Sequence, residues 1–156
     1  MNATYALLLD TTGEPLVIPA LNRDGDMLSD LVLKMFGTIA GAESVIFALD
    51  TDFNVKVALT EAPHGTAPAL YGKNVANPMA MILASAVTLR YVRTDAASAA
   101  SRAIYEATME TVCDGIRTAD LGGFTGTTEF TDEVIRRVKG KLEIWAAVGE
   151  LPAAHH

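Results

Sequence analysis

Residues 61–78 read Glu-Ala-Pro-His-Gly-Thr-Ala-Pro-Ala-Leu-Tyr-Gly-Lys-Asn-Val-Ala-Asn-Pro, setting polar side chains around two glycines just before a helix start. The chemistry this suits is a cradle for a phosphate or a nucleotide. Gly65 and Gly72 permit close backbone approach, and His64, Thr66, Lys73 and Asn74 supply hydrogen-bonding groups. Asn77-Pro78 has the residue types of an N-cap followed by a first helical position. The spacing is neither a Walker loop nor G-x-G-x-x-G, and the same residue types build plain connecting turns. A second candidate is the pair Asp26 and Asp30, four apart and hence on one face of a helix. Two such carboxylates suit a hard divalent cation, Mg²⁺ or Mn²⁺. They equally suit the first turn of a helix, where negative charge complements the dipole.

The elements that must position these groups follow from periodicity. Leu28, Leu31, Val32, Met35 and Phe36 form a helical stripe that predicts a helix from Asp26 to about Ile39, ended near Gly41. Ser44 to Asp50 and Asn54 to Thr60 predict a β-hairpin, and Met1 to Val17 a second one turning at Asp10 to Pro15. Pro78 to about Arg93 reads as a strongly apolar helix whose Met79, Met81, Ile82 and Leu83 serve a core or an interface. Thr94 caps a helix to about Val112, with Ile104, Tyr105 and Met109 facing inward. Thr128 or Thr131 caps a last helix carrying Val134, Ile135, Val138, Leu142 and Trp145. The expected fold class is α/β or α+β: a small mixed sheet of two hairpins covered by about four helices. Residues 1–150 form one domain in this reading, and 151–156 a tail.

Three segments, in order, resemble the isocitrate/isopropylmalate dehydrogenase family. His64-Gly-Thr-Ala-Pro68 with Gly72-Lys-Asn-Val-Ala-Asn-Pro78 is similar to that family's coenzyme loop. Asn22-Arg-Asp-Gly-Asp-Met-Leu-Ser-Asp30 resembles its Asn-x-Asn-Gly-Asp-x-x-Ser-Asp, whose aspartates bind a divalent metal. Gly115-Ile-Arg-Thr-Ala-Asp-Leu-Gly-Gly123 and Thr127 to Val138 resemble its C-terminal turn and last helix. The resemblance spans about residues 17 to 140 and covers only the C-terminal part of the family's chain. It implies coenzyme contacts from His64, Gly65, Thr66, Ala67, Ala69, Gly72 and Asn77, and metal ligation by Asp26 and Asp30. The family's catalytic tyrosine and lysine, its substrate-holding serine and arginines, and its third metal-binding aspartate have no matching motif, so no catalytic residue is assigned. The chain reads as a natural half-enzyme or a tailored remnant.

Departures within the coenzyme motif bear on selectivity. Family members that prefer NAD place an aspartate after the His-Gly-Ser/Thr-Ala-Pro run to hold the adenosine ribose, and those that prefer NADP a lysine. Here the residue is Ala69, which neither clamps the ribose nor attracts a 2′-phosphate. Asp114 and Thr118 stand roughly where the NADP-type tyrosine and arginine would be. The resemblance thus implies NAD rather than NADP, held weakly. Lys73 and Arg117 read as solvated charges.

Half of the 156 residues are hydrophobic, enough to bury a substantial core, and the formal charge is −7. That charge excludes a nucleic-acid backbone or an anionic membrane as natural partners. The longest apolar run, Met79 to Leu89, is too short to span a bilayer. Cys113 is the single cysteine and reads as a small helix-end hydrophobe in a reducing cytoplasm. No basic leader is apparent, which again points to the cytoplasm. The resemblance implies a dimer through the helix after Asp26, making a homo-oligomer the expected state. A separate chain supplying the missing N-terminal half is the other expected partner.

Overall fold

The computed structural model describes residues 17–35 and 42–149. The chain runs through α1 (Asn22–Met35), β1 (Ser44–Leu49), β2 (Val55–Glu61), a 3₁₀ turn at Pro68–Leu70, α2 (Met79–Arg90), α3 (Asp95–Cys113), a second 3₁₀ turn at Ala119–Leu121, and α4 (Thr127–Ala147). It is a mixed α/β structure with four helices and a two-stranded antiparallel sheet among the described residues. The hairpin expected over Met1 to Val17 falls outside the described residues but for Val17, which is exposed and without regular structure. The tail from 151 also falls outside.

Helix α1 begins four residues before the expected start, with Asp24 in its first turn and Lys34 in its last. Both charges complement the dipole, which offsets the cost of about 1 kcal/mol for Gly25 inside a helix. Asp26 is consequently the fifth residue of the helix, and the reading of Asp26 and Asp30 as first-turn carboxylates is corrected. Although α1 is amphipathic by sequence, none of its residues is buried.

The hairpin closes on Asp50, whose Oδ1 accepts from the backbone N–H groups of Asp52 and Asn54 at 2.9 and 2.8 Å. The Asn54 backbone bond is the first cause holding the Asp50 carboxyl below its ordinary range. Pairing alternates the faces: Val45↔Thr60 and Phe47↔Ala58 share one, Ile46↔Leu59 and Ala48↔Val57 the other. The first face meets α2. Thr60 Oγ1 lies 2.5 Å from Thr88 Oγ1, and Phe47 meets Tyr91 edge-on with ring centroids 5.5 Å apart. On the second face Ile46, Ala48, Val57 and Leu59 are all exposed.

The core lies between α2, α3 and α4, where Met79, Leu83, Ala107, Phe130 and Val134 cluster. Alanines at 80, 84, 103 and 107 are buried and let the helices approach closely around Phe130, which has no exposed surface. Met79 and Leu83 are thus core, whereas Met81 is exposed. Thr94 caps α3 as expected, its Oγ1 accepting from Ala97 N–H at 3.2 Å. The inward face of α3 is set by Ala103, Ala107, Thr108 and Thr111. Thr108 and Thr111 are tolerated there because their hydroxyls donate to the Ile104 and Ala107 carbonyls at 2.7 Å. Ile104 and Tyr105 are half-buried, and Met109, expected inside, is exposed. The Tyr105 hydroxyl donates to Glu43, and burial followed by that bond pushes its ionisation well above the ordinary range.

Helix α4 corrects a second expectation. Neither Thr128 nor Thr131 caps it: the N-cap position is Gly126, without a side-chain cap. Asn74, in the loop before α2, satisfies the helix start instead. Its Oδ1 accepts from Thr128 N–H and the Thr128 hydroxyl, both at 2.9 Å, and its carbonyl accepts from Thr127 N–H at 3.1 Å. Val134 of this helix is buried and the adjacent Ile135 is 46% exposed. Arg117 is not a solvated charge, since its Nε donates to the Val112 carbonyl at 2.7 Å and closes the end of α3.

Candidate functional site

Between β2 and α2 the chain follows Ala62 to Pro78 without a long element, held by short-range bonds. Leu70 and Tyr71 N–H groups return to the Ala67 and Pro68 carbonyls at 2.9 and 3.2 Å, and Lys73 N–H to Leu70 at 3.1 Å. Ala67 at φ 41° and Asn74 at φ 54° are left-handed, as is Gly72 at φ 72°. For Ala67 such a conformation costs on the order of 1 kcal/mol, so the loop holds it against local preference. At the loop's end Asn77 Oδ1 accepts from Met79 N–H at 3.0 Å. The sequence reading of Asn77 as N-cap and Pro78 as first helical residue is corrected by one position: Pro78 is the N-cap, without a side-chain cap, and Asn77 precedes it.

A cavity of about 1170 Å³ opens over this loop. Of the residues nominated from sequence, His64, Gly65, Thr66, Ala67 and Asn77 line it; Ala69 and Gly72 do not. Gly72 has its φ as reason to be glycine, and a Cβ on it would meet nothing within 4 Å. A Cβ on Gly65 would likewise meet no atom within 4 Å, so the room above Gly65 is open to a ligand and not filled by the protein. Lys73, which does not line the cavity, is exposed.

His64 carries the most specific chemistry. Its Nδ1 lies 3.0 Å from the Gly65 carbonyl oxygen. A carbonyl only accepts, so Nδ1 holds the proton and Nε2 of the neutral ring is an acceptor. Nε2 is buried with no hydrogen-bond partner. A buried acceptor left unpaired costs about 1–3 kcal/mol. Asn77 is more heavily engaged: besides the bond to Met79, its Nδ2 donates to Asp120 Oδ2 at 3.0 Å. One amide hydrogen remains for a ligand.

Sequence reasoning missed Lys34, Tyr71 and Asp120, all of which line the cavity. Lys34 carried a signal, since it stands four residues after Asp30 and so on the same face of α1. Asp120 belongs to the turn that resembled the family motif. It reaches the cavity because Thr118, buried, donates its hydroxyl to Asp120 Oδ1 at 2.6 Å. Gly123 makes that turn possible, for a Cβ there would fall 2.0 Å from the Arg117 carbonyl oxygen.

Asp26 and Asp30 are exposed and do not line the cavity. Among the described residues no group of three histidine, cysteine, aspartate or glutamate side chains is placed to hold a metal ion. A hard cation wants about six oxygen ligands, so these two carboxylates do not make a metal site by themselves.

The sequence model of the isocitrate/isopropylmalate dehydrogenase family matches residues 2–134. The chain belongs to that family. It is 39% identical over 120 residues to the NAD-type isocitrate dehydrogenase catalytic subunit 5 of Arabidopsis thaliana mitochondria, a match covering 76% of this chain and 29% of that protein. It is 34% identical over 139 residues to the 3-isopropylmalate dehydrogenase of Methanothermobacter thermautotrophicus, covering 89% of this chain and 40% of that one. The β-decarboxylating dehydrogenase structure from Thermococcus kodakarensis superposes with a TM-score of 0.72 at 30% identity, covering 99% of this chain and 42% of that one. This isocitrate/isopropylmalate dehydrogenase-type chain therefore spans less than half the length of these relatives. No helix among the described residues is long and apolar enough to cross a membrane.

Proposed function

We propose that the chain is a nucleotide-binding module of dehydrogenase descent, catalytically incomplete by itself, which holds the adenosine or phosphate portion of a nucleotide. The observation that carries this reading is the convergence of His64, Gly65, Thr66, Ala67 and Asn77 of the loop motif on one cavity, with room above Gly65 that no protein atom fills. In this reading His64 accepts from the ligand, Gly65 gives it room, and Thr66 and the backbone at Ala67 offer further polar edges. Asn77 fixes the loop and contributes its remaining amide hydrogen. Ala69 leaves the ribose without a carboxylate and a 2′-phosphate without a cation, so NAD is preferred over NADP and affinity is low. When bound, NAD would supply a hydride acceptor. Proton transfer and substrate holding require groups for which no motif is present.

The exposed Met27, Leu31 and Met35 of α1, with Met81 of α2, are the surface proposed for homo-oligomer formation. Asp26 and Asp30 would hold Mg²⁺ or Mn²⁺ only with ligands from a second polypeptide. A second reading has one specific support, the bare sheet face of Ile46, Ala48, Val57 and Leu59. There the chain is one component of a split metal- and NAD-dependent oxidative decarboxylase of 2-hydroxy diacids, completed by another chain.

Titration with NAD, NADP, AMP and ATP by calorimetry and chemical-shift mapping tests the first reading. Expected is weak binding that perturbs His64, Thr66 and Asn77; no response to any of them at millimolar concentration defeats it. A second chain that co-purifies from the native cell and restores turnover decides for the split enzyme.

A further inference from the structure

A second cavity, of about 460 Å³, opens where the turn of the hairpin meets the end of α2, and its lining includes Asp50, Asn54, Lys56, Tyr91 and Arg93. None of these residues lines the cavity over the loop. Two cations face one carboxylate here, in a chain whose formal charge is −7. The carboxylate is already engaged by its own turn. Asp50 Oδ1 accepts from the backbone N–H groups of Asp52 and Asn54, and both of its oxygens accept from Asn54 Nδ2 at 3.2 Å. Lys56 Nζ comes only to 3.7 Å from Asp50 Oδ2, too far for a hydrogen bond, so its three donors remain available.

The other two polar groups are held in place but unused. Arg93 makes no ion pair or hydrogen bond among the described residues, and the Tyr91 hydroxyl makes no hydrogen bond. The Tyr91 ring is fixed by its edge-on contact with Phe47 at 5.5 Å, and its N–H bonds to the Thr88 carbonyl at 3.1 Å. Arg93 sits at φ 58°, a conformation that glycine takes freely and arginine does not. It is pinned between the Val92 N–H bond to Leu89 at 3.2 Å and the Thr94 cap of α3.

We infer that this cavity is a binding site for a small phosphate monoester, with Arg93 and Lys56 meeting its charge and the Tyr91 hydroxyl donating to it. The inference is independent of the nucleotide reading of the loop cavity. A phosphate monoester brings two negative charges and three terminal oxygens, which matches two cations and one further donor better than the two oxygens of a single carboxylate do. The cavity has a size common for small-molecule sites and so leaves room for the organic part of the ester. Net negative charge disfavours an extended anionic surface, whereas one small anion feels mainly the cations beside it.

The test titrates glycerol 3-phosphate into the wild-type chain, Arg93→Gly and Lys56→Gln at constant ionic strength, read by chemical shifts. Glycine suits the left-handed backbone at residue 93, so the fold should persist; thermal melts check both variants, and Lys56→Gln carries the test if Arg93→Gly unfolds. Expected is saturable binding that moves Lys56, Tyr91 and Arg93, weakened about tenfold by Arg93→Gly and about threefold by Lys56→Gln, with malonate several-fold weaker than the ester. Binding unchanged in both variants overturns the inference, as does malonate binding as tightly as the ester. Shifts confined to His64, Thr66 and Asn77 also overturn it, by assigning the ester to the loop cavity, and they leave the nucleotide reading intact. Vesicles of phosphatidylcholine with phosphatidic acid should not carry the chain down on sedimentation; if they do, the ligand is a lipid headgroup and the free ester is overturned.

Discussion

The side-chain amide of Asn77 donates to the carboxylate of Asp120 at 3.0 Å across a sequence separation of 43 residues. This bond brings the loop before α2 and the turn before α4 to one cavity wall, and each partner is separately anchored: Asn77 to Met79 N–H and Asp120 to the Thr118 hydroxyl. Three residues upstream Asn74 ties the same loop to the start of α4. Site and helix bundle are thus coupled, and local changes at these joints should register in both.

Asn74→Gly is expected to destabilise the chain by about 1–2 kcal/mol. Glycine keeps the left-handed backbone at φ 54° but removes the acceptor for Thr128 and the donor to Glu129 Oε2. Urea unfolding measures the change. A midpoint equal to the wild type would show that water replaces the Asn74 side chain without loss.

Gly123→Ala should cost more than about 2 kcal/mol, because its Cβ would fall 2.0 Å from the Arg117 carbonyl oxygen and backbone must move. Gly140→Ala is the control. That position lies within α4 with nothing within 4 Å of an added Cβ, so alanine should stabilise by about 0.5–1 kcal/mol. Thermal denaturation of the two variants is expected to move in opposite directions.

Phe130→Ala should cost about 3–5 kcal/mol, since the ring is wholly buried against Met79, Leu83 and Val134. Ile135→Ala, one helix face away, should stay within about 0.5 kcal/mol. Similar losses at the two positions would contradict the placement of the core.

Acid sensitivity should centre on Glu133. Bonds from Arg136 first and Arg137 second hold its carboxyl at about 2, down from an ordinary 4.5. Arg137 also donates to Asp114 at 2.6 Å, linking α4 to the end of α3. A depressed folded-state value means the contribution is fully present above 4.5 and is lost as the pH falls through about 2. Glu133→Gln should therefore lower the urea midpoint at neutral pH and differ little from the wild type near pH 2. A difference that does not shrink on acidification would assign the effect to packing.

The chain alone is expected to reduce neither NAD nor NADP with isocitrate, isopropylmalate or tartrate in the presence of Mg²⁺ or Mn²⁺. Absorbance of the reduced coenzyme is the readout. Turnover above background that disappears in Asp30→Asn would overturn the incomplete-module reading.

By itself the sequence determined the family, the helix-strand-strand-helix-helix-helix order of the described residues, the Thr94 cap and the loop that walls the cavity. These are local matters of periodicity, cap chemistry and glycine placement, which neighbours in sequence settle among themselves. Only the tertiary structure decided that Asn74 caps α4 in place of Thr128 or Thr131, that Arg117 closes α3, and that Lys34, Tyr71 and Asp120 join the cavity. It also turned Met109 outward, because Ala103, Ala107, Thr108 and Thr111 form the inward face of α3. Each of these depends on which polar group or side-chain volume another segment brings within reach, and a pattern read along one chain does not contain that information.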